Sequence, residues 1–331
     1  MYTAFYGLHE QPFELTPDPR FLYLTPGHRE ALSNLQYGLS AAKPVTLLVG
    51  EAGTGKTTLL KATLETDACR CVRALHLTNP TLTRNEFVEL LGRGFGLTRG
   101  AMNSKAALLA ELEALLRERR SRGEITALIV DEAQSLSVGL LEEIRLLANI
   151  ETTTEKLLPL VLVGQPALGE NLERPELRQL KQRVALRCDI SPFTMAETAV
   201  YIATRIGVAG GSATQVFTWE AVGLIHEHSR GIPRTINVIC DNALITGHTR
   251  KLQPVDGEII REVARDFSFS GHAFSAAAAA IPAQRSPAAL APTQTVEGSA
   301  SERRKPESRR FGFRRAARRP FAMFGTDRDS Q

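Results

Sequence analysis

The chain has 331 residues, 43% of them hydrophobic, and 40 Lys/Arg against 36 Asp/Glu, which is enough apolar material for a packed core and enough length for about two domains of roughly 150 residues. Four scattered cysteines, Cys69, Cys71, Cys188 and Cys240, do not make a disulfide framework, and no second cysteine or histidine pair near Cys69 and Cys71 completes a zinc site. The opening "MYTAFYGLHEQPFELTPDPRF" has neither a basic n-region nor a continuous apolar stretch, and nowhere do about 18 apolar residues run uninterrupted, so a reducing, cytoplasmic setting is expected rather than secretion or a membrane span.

The first strong signal along the chain is "TLLVGEAGTGKTTLLKATL". Residues 45–49 form a short apolar run of the length expected for a buried parallel strand. The next residues, Gly50, Glu51, Ala52, Gly53, Thr54, Gly55, Lys56, Thr57 and Thr58, fit G-x-x-x-x-G-K-[ST] and lead into a helical pattern. Glycines let backbone N–H groups turn inward around phosphate oxygens, and the helix that follows adds its positive N-terminus. Lys56 is placed to reach the β/γ-phosphates, and the Thr57 hydroxyl to ligate Mg²⁺. This loop predicts that the chain binds ATP with Mg²⁺.

A second buried-strand run, residues 125–130 in "ITALIVDEAQSL", ends at Asp131 and Glu132. Carboxylates at the C-terminal tip of a strand lie near the phosphate loop in a doubly wound sheet. Asp131 is therefore expected to hold the metal through water, and Glu132 to polarise the attacking water, so that the chain is read as an ATP hydrolase. A third apolar run, "LPLVLVGQPAL", ends in Gly164 and Gln165, and Gln165 is expected to project from the same sheet edge as a sensor of the γ-phosphate. "ELRQLKQRVALRCDISPF" follows, with Arg178 and Arg183 expected on a helix; Arg183 is slightly favoured over Arg178 as the arginine that completes a neighbouring subunit's site.

From about residue 191 the texture becomes helical, with no strong strand run. Ile236, Ile239, Cys240, Ala243 and Leu244 recur at helical spacing, and Pro233 suits a first turn. Arg234, after Gly231 at the start of this helix, is expected to reach back to the γ-phosphate and couple nucleotide state to domain angle. His226 and His228 are read as ordinary helix residues, since no third ligand partner is evident.

The positive charge belongs to the end of the chain. Beyond residue 268 there are 11 Lys/Arg against 5 Asp/Glu, which leaves the preceding part slightly acidic. The stretch "SAAAAAIPAQRSPAALAPTQ" is low in complexity, and "RRKPESRRFGFRRAARRPFAMF" interleaves arginine pairs with phenylalanines. A solvated, disordered extension is expected, with anionic lipid or nucleic acid as candidate contacts.

Together with the polar strand tip, the arginine before the helical part and "GIPR", these motifs resemble an AAA+ ATPase. The opening "FYGLHEQPFELTPDPRFLYLTPGHREALSNLQYGL" resembles the ExeA/GspA family of secretion ATPases, which includes MshM-like pilus-biogenesis ATPases and those of exosortase-linked exopolysaccharide loci. The resemblance spans residues 1 to about 267. It implies that residues 13–29 wrap toward the adenine, that Arg234 is the second sensor, and that a ring or other homo-oligomer is the working unit. The fold expected is an α/β P-loop NTPase: a three-layer αβα domain with a parallel sheet over residues 1–190, including a family-specific segment 1–40, then a helical lid over 191–267 and the basic tail 268–331. Two departures stand out. ExeA-type members continue through a transmembrane helix into a periplasmic peptidoglycan-binding domain, and neither pattern is found after residue 267 here. The first sensor in AAA+ proteins is usually Asn, Ser or Thr, whereas this chain offers Gln165.

The function expected is a cytoplasmic or peripheral inner-membrane ATPase that drives or regulates assembly of a secretion, pilus or exopolysaccharide export machine, with inner-membrane components as partners. Two alternatives stand beside it. One is a DNA-associated AAA+ ATPase of the transposition-helper or regulator kind, against which the acidic body speaks. The other is a nucleotide-switched scaffold with negligible turnover, against which Glu132 speaks.

Overall fold

In a computed structural model of the protein, residues 2–16, 19–78 and 82–267 are described. The chain divides into two units, Met1–Phe274 and Ser275–Gln331. The elements of the fold belong to the first, and the expectations for the basic tail lie outside the described residues.

Five strands form one sheet: β1 (Val45–Gly50), β2 (Val72–Leu77), β3 (Ile125–Val130), β4 (Leu160–Gly164) and β5 (Val184–Ile190). Their order is β2-β3-β4-β1-β5 and every pairing is parallel. Before, between and after them run α1 (Pro26–Ser40), α2 (Lys56–Leu64), α3 (Arg84–Phe95), α4 (Lys105–Ser121), α5 (Val138–Leu147), α6 (Pro166–Leu172), α7 (Arg178–Lys181), α8 (Met195–Val208), α9 (Ala213–Val216), α10 (Trp219–Ser229), α11 (Pro233–Arg250) and α12 (Gly257–Asp266). None of these helices is long and apolar enough to cross a membrane.

β1, β3 and β4 are buried along their whole length, as expected of strands covered on both faces. Alternation along each strand sorts its side chains between two cores. Leu47, Val49, Leu128, Val130 and Leu162 join Phe87 and Leu91 of α3, Leu112 and Leu116 of α4, and Ile144 of α5. Leu48, Ile129, Val161 and Val163 join Leu35 and Leu39 of α1 and Leu59 and Leu60 of α2. This is the three-layer αβα arrangement around a parallel sheet.

A third core lies among α8 to α12, where Ile236, Ile239, Cys240, Ala243 and Leu244 are all fully buried, in keeping with their spacing in the sequence. The start of the chain packs here as well: Tyr2, Tyr6, Leu8 and Phe13 are buried in the same cluster. Tyr2 Oη donates to Asp241 at 2.5 Å and Tyr6 Oη to the Leu252 carbonyl at 3.2 Å, and the His9 N–H donates to the Ala209 carbonyl at 2.8 Å. The opening segment, expected beside the α/β layers, thus divides: residues 2–13 complete the helical core, while α1 covers the sheet.

The helix expected to carry both Arg178 and Arg183 is corrected. Arg178 begins the one-turn α7, but Arg183 stands past its end, immediately before β5. The reason is a change of period, because Cys188 and Ile190 point inward at strand spacing while Arg187 and Asp189 pair on the outside at 2.9 Å.

Candidate functional site

The glycine loop leaves β1 and enters α2 in left-handed backbone, with φ of +81° at Gly53 and +97° at Gly55. No described side chain caps the first turn of α2, whose amides therefore stay available to an anion. Lys56 is buried, and its Nζ donates to the carbonyls of Gly50 at 2.8 Å and Glu51 at 2.9 Å. Burial lowers its pKa, and the charges of Glu132, Asp131 and Glu51 pull it back up. Glu51 and Ala52 are exposed on the outer turn, and Thr54 is buried with its Oγ1 donating to the Glu51 carbonyl at 2.8 Å.

β3, separated from β1 by β4, brings the acidic groups to this loop. Thr57 Oγ1 donates to Asp131 Oδ2 at 2.9 Å, and the Glu132 N–H donates to Asp131 Oδ1 at 2.9 Å. Glu132 has left β3 in left-handed backbone, φ 52°. Its Oε2 accepts from Gln134 Nε2 at 2.5 Å and from Gln165 Nε2 at 3.3 Å. Gln165 follows β4, which lies between β3 and β1, and so reaches the site through Glu132.

A cavity of about 370 Å³ extends from the loop between the sheet and the helical part. Residues 53–59, Glu132, Pro233 and Arg234 line it, together with Glu14, Leu15, Tyr23, His28, Phe193, Tyr201, Arg205 and Asn237 among others. The Arg234 N–H donates to the Gly53 carbonyl at 3.2 Å. Arg205 is 7% exposed; its guanidinium donates to the carbonyls of Pro12 and Glu14 and to Tyr201 Oη, and lies over the Phe21 ring.

His28 ties α1 to the loop. Its Nε2 faces the Thr54 carbonyl at 3.3 Å, an acceptor only, so Nε2 carries the proton and Nδ1 accepts from Thr25 Oγ1 at 2.7 Å. Burial lowers the pKa of this ring, in keeping with the neutral form.

The donor set fits a nucleotide and a hard divalent cation. Backbone amides, Lys56 and Arg234 present positive ends, and a threonine hydroxyl with a carboxylate at 2.9 Å is an all-oxygen pair suited to Mg²⁺. Arg178 and Arg183 do not line the cavity of their own chain among the described residues, and Arg183 acts electrostatically on Glu151. His226 accounts for itself structurally, its Nδ1 lying 2.9 Å from Thr198 Oγ1. Sequence reasoning missed Gln134, whose signal was only its place two residues after Glu132, and it missed Arg205, an arginine in an otherwise apolar helix pattern.

A parallel sheet in this order, with a phosphate loop after β1, acidic groups after β3 and a helical part closing over both, defines the AAA+ P-loop ATPases, and residues 40–172 match the family model described as AAA domain. Within that class the chain is of the ExeA/GspA type: it is 40% identical over 250 residues to the general secretion pathway protein A of Aeromonas hydrophila, covering 76% of this chain. It spans 45% of the length of that relative. Among solved structures, the Aeropyrum pernix ORC2 protein in its ADPNP-ADP complexes is 19% identical with a TM-score of 0.55, over 78% of this chain and 71% of that one. The Aeropyrum pernix ORC1 protein in complex with DNA is 20% identical with a TM-score of 0.56, over 78% and 69%. At these identities the two structures share the fold.

Proposed function

We propose that the protein is a Mg²⁺-dependent ATP hydrolase whose turnover drives or times assembly of an envelope secretion, pilus or exopolysaccharide export system, acting as a homo-oligomer with inner-membrane components as partners. The observation that carries the hydrolytic part is the juxtaposition of Thr57 and Asp131 at 2.9 Å with the Glu132 carboxylate at the same strand tip. The similarity to a general secretion pathway protein supports the export setting. This reading assigns the protein to the cytoplasmic side of the inner membrane, where ATP is available.

Each residue then has a physical task. The loop amides and Lys56 would offset the negative charge of the phosphates, and Thr57 with Asp131 would hold the metal, which would supply further positive charge against that of the phosphates. Glu132 accepts a hydrogen bond from the attacking water and aims it along the line of displacement. Gln165, beside Glu132, and Arg234, carried by the helical part, face the end of the nucleotide that changes on hydrolysis. Loss of that contact gives the two parts a reason to change their mutual angle.

Steady-state ATP hydrolysis tests the reading directly. Wild type is expected to turn over with Mg²⁺ and to stop with chelator, and Glu132→Gln to bind nucleotide while losing about 100-fold or more in kcat. Equal turnover in the two proteins would return the chain to the class of nucleotide-switched scaffolds.

A further inference from the structure

We propose that Gln134 is a positioning residue for Glu132, aiming its carboxylate through a hydrogen bond locked to the tip of β4; this rests on the hydrolytic reading above. Glu132 lines the cavity and, among the described residues, Gln134 does not. Of the two amides that reach Glu132 Oε2, Gln134 Nε2 at 2.5 Å is much the closer, Gln165 Nε2 at 3.3 Å lying near the outer limit of a hydrogen bond. With Oε2 engaged in this way, Oε1 is left to accept from water.

The orientation of the Gln134 amide is fixed from behind. Its Oε1 accepts from the Gln165 backbone N–H at 3.1 Å. A backbone N–H only donates, so the oxygen must face it and the NH₂ must face Glu132. The main chain is held too, the Asn171 side-chain amide donating to the Gln134 carbonyl at 3.3 Å. Gly164 makes the arrangement possible: a Cβ there would stand 2.8 Å from Gln134 Oε1 and 2.8 Å from Leu168 Cδ2. The end of β4, the following amide and α6 thus act on Glu132 through one side chain. A hydrogen bond to a charged group is stronger than a neutral one, and a carboxylate freed from it samples other rotamers.

The experiment compares wild type, Gln134→Ala, Gln134→Glu and Gly164→Ala in steady-state ATP hydrolysis and in equilibrium binding of a fluorescent ADP analogue. Gln134→Ala is expected to lower kcat about 10- to 100-fold, the range that the loss of one charge-assisted hydrogen bond implies. KM and analogue affinity should stay within about 2-fold, because Gln134 does not touch the nucleotide site. Gln134→Glu is the same size and still accepts from Gln165, yet it sets a second carboxylate against Glu132, so its kcat should fall at least as far. Gly164→Ala displaces Gln134 without altering it and should reproduce the loss. Wild-type kcat in Gln134→Ala overturns the proposal, and so does a kcat loss matched by an equal loss of analogue affinity. If wild type itself turns over no faster than Glu132→Gln, the hydrolytic reading fails and the aiming bond is judged by NMR. The Gln134 side-chain NH₂ resonances should shift in Glu132→Ala, and unmoved resonances sink the bond itself.

Discussion

The backbone N–H of Arg234 donates to the carbonyl of Gly53 at 3.2 Å, so the first turn of α11 is tied directly to the phosphate loop. Helical part and nucleotide loop meet main chain to main chain, and the Arg234 side chain lines the cavity beside that bond. The approach is close because Gly53 has no side chain: a Cβ would stand 2.9 Å from Arg234 Cβ and 3.1 Å from Ile232 Cγ2, on backbone with φ +81°.

Gly53→Ala should therefore damage the loop and the closure together. The left-handed backbone alone costs an L-residue about 1–2 kcal/mol, and the clash adds to it by pushing α11 away. The expected result is a lower Tm and loss of most nucleotide affinity. Arg234→Ala, which keeps the backbone bond, should leave Tm nearly unchanged and weaken only the binding of ATP relative to ADP. Titration of both nucleotides against the two variants, with Tm by calorimetry, separates strain from side-chain chemistry.

Arg205 carries the second link, between α8 and residues 12–14. Truncation to Ala strips the Pro12 and Glu14 carbonyls and the Tyr201 hydroxyl of their buried donor. It also removes the cation from the Phe21 ring, 4.7 Å away. A loss of about 2–4 kcal/mol is expected, and Arg205→Lys should recover little of it, since one ammonium cannot reproduce the fork. Limited proteolysis offers a local readout: cleavage within residues 10–20 should accelerate in both variants before the rest of the chain is attacked.

What was legible in the sequence followed from local physics. β1, β3 and β4 are short, fully buried runs bounded by glycine or acid, and the loop after β1 has a spacing that few other tasks require. Asp131 and Glu132 could be placed beside that loop because parallel strands end on one edge. β2 was not visible, since in "VRALHL" only Leu77 is buried and the other residues are half-buried or exposed without a regular alternation. The destination of Tyr2, Tyr6 and Phe13 was not visible either. Their aromatic side chains announce burial without naming a partner, and that partner lies more than two hundred residues away in the chain. Gln134 looked like an ordinary polar turn residue, because its meaning depends on Gly164 and Gln165 from another strand.

The buried His28 makes stability depend on pH. Burial lowers its pKa from the ordinary 6.5, against the opposing pull of the Thr54 carbonyl and the charge of Glu197. In the folded protein the ring is neutral at a pH where the unfolded chain already takes up a proton. Its contribution is therefore complete above about pH 6.5 and is lost as pH falls below that toward the folded value. His226, half-buried, is lowered by burial too and acts in the same direction. Denaturant titrations between about pH 5 and 7.5 should show stability falling on the acid side, and His28→Gln should flatten part of that slope. An unchanged slope would mean that the ring does not sit neutral against Thr54.

Arg183 cannot serve the site of its own chain. Val184, the next residue, pairs with Val45 at the beginning of β1, whereas the phosphate loop leaves the other end of that strand at Gly50. Six residues at about 3.3 Å each put roughly 17–20 Å between the two ends, beyond the reach of an arginine side chain. If Arg183 completes a catalytic centre, it does so in a second copy. Three results should then appear together. Specific activity of wild type should rise with protein concentration, and Arg183→Ala should bind ATP normally yet lose about 10³-fold in kcat, as arginines that act in trans do. Mixing Arg183→Ala with Glu132→Gln should restore activity that neither has alone, because a mixed interface pairs an intact Glu132 from one chain with an intact Arg183 from the other. Activity per subunit that is flat with concentration, together with a silent Arg183→Ala, would instead identify a monomeric switch, and the shared-site model would have to be abandoned.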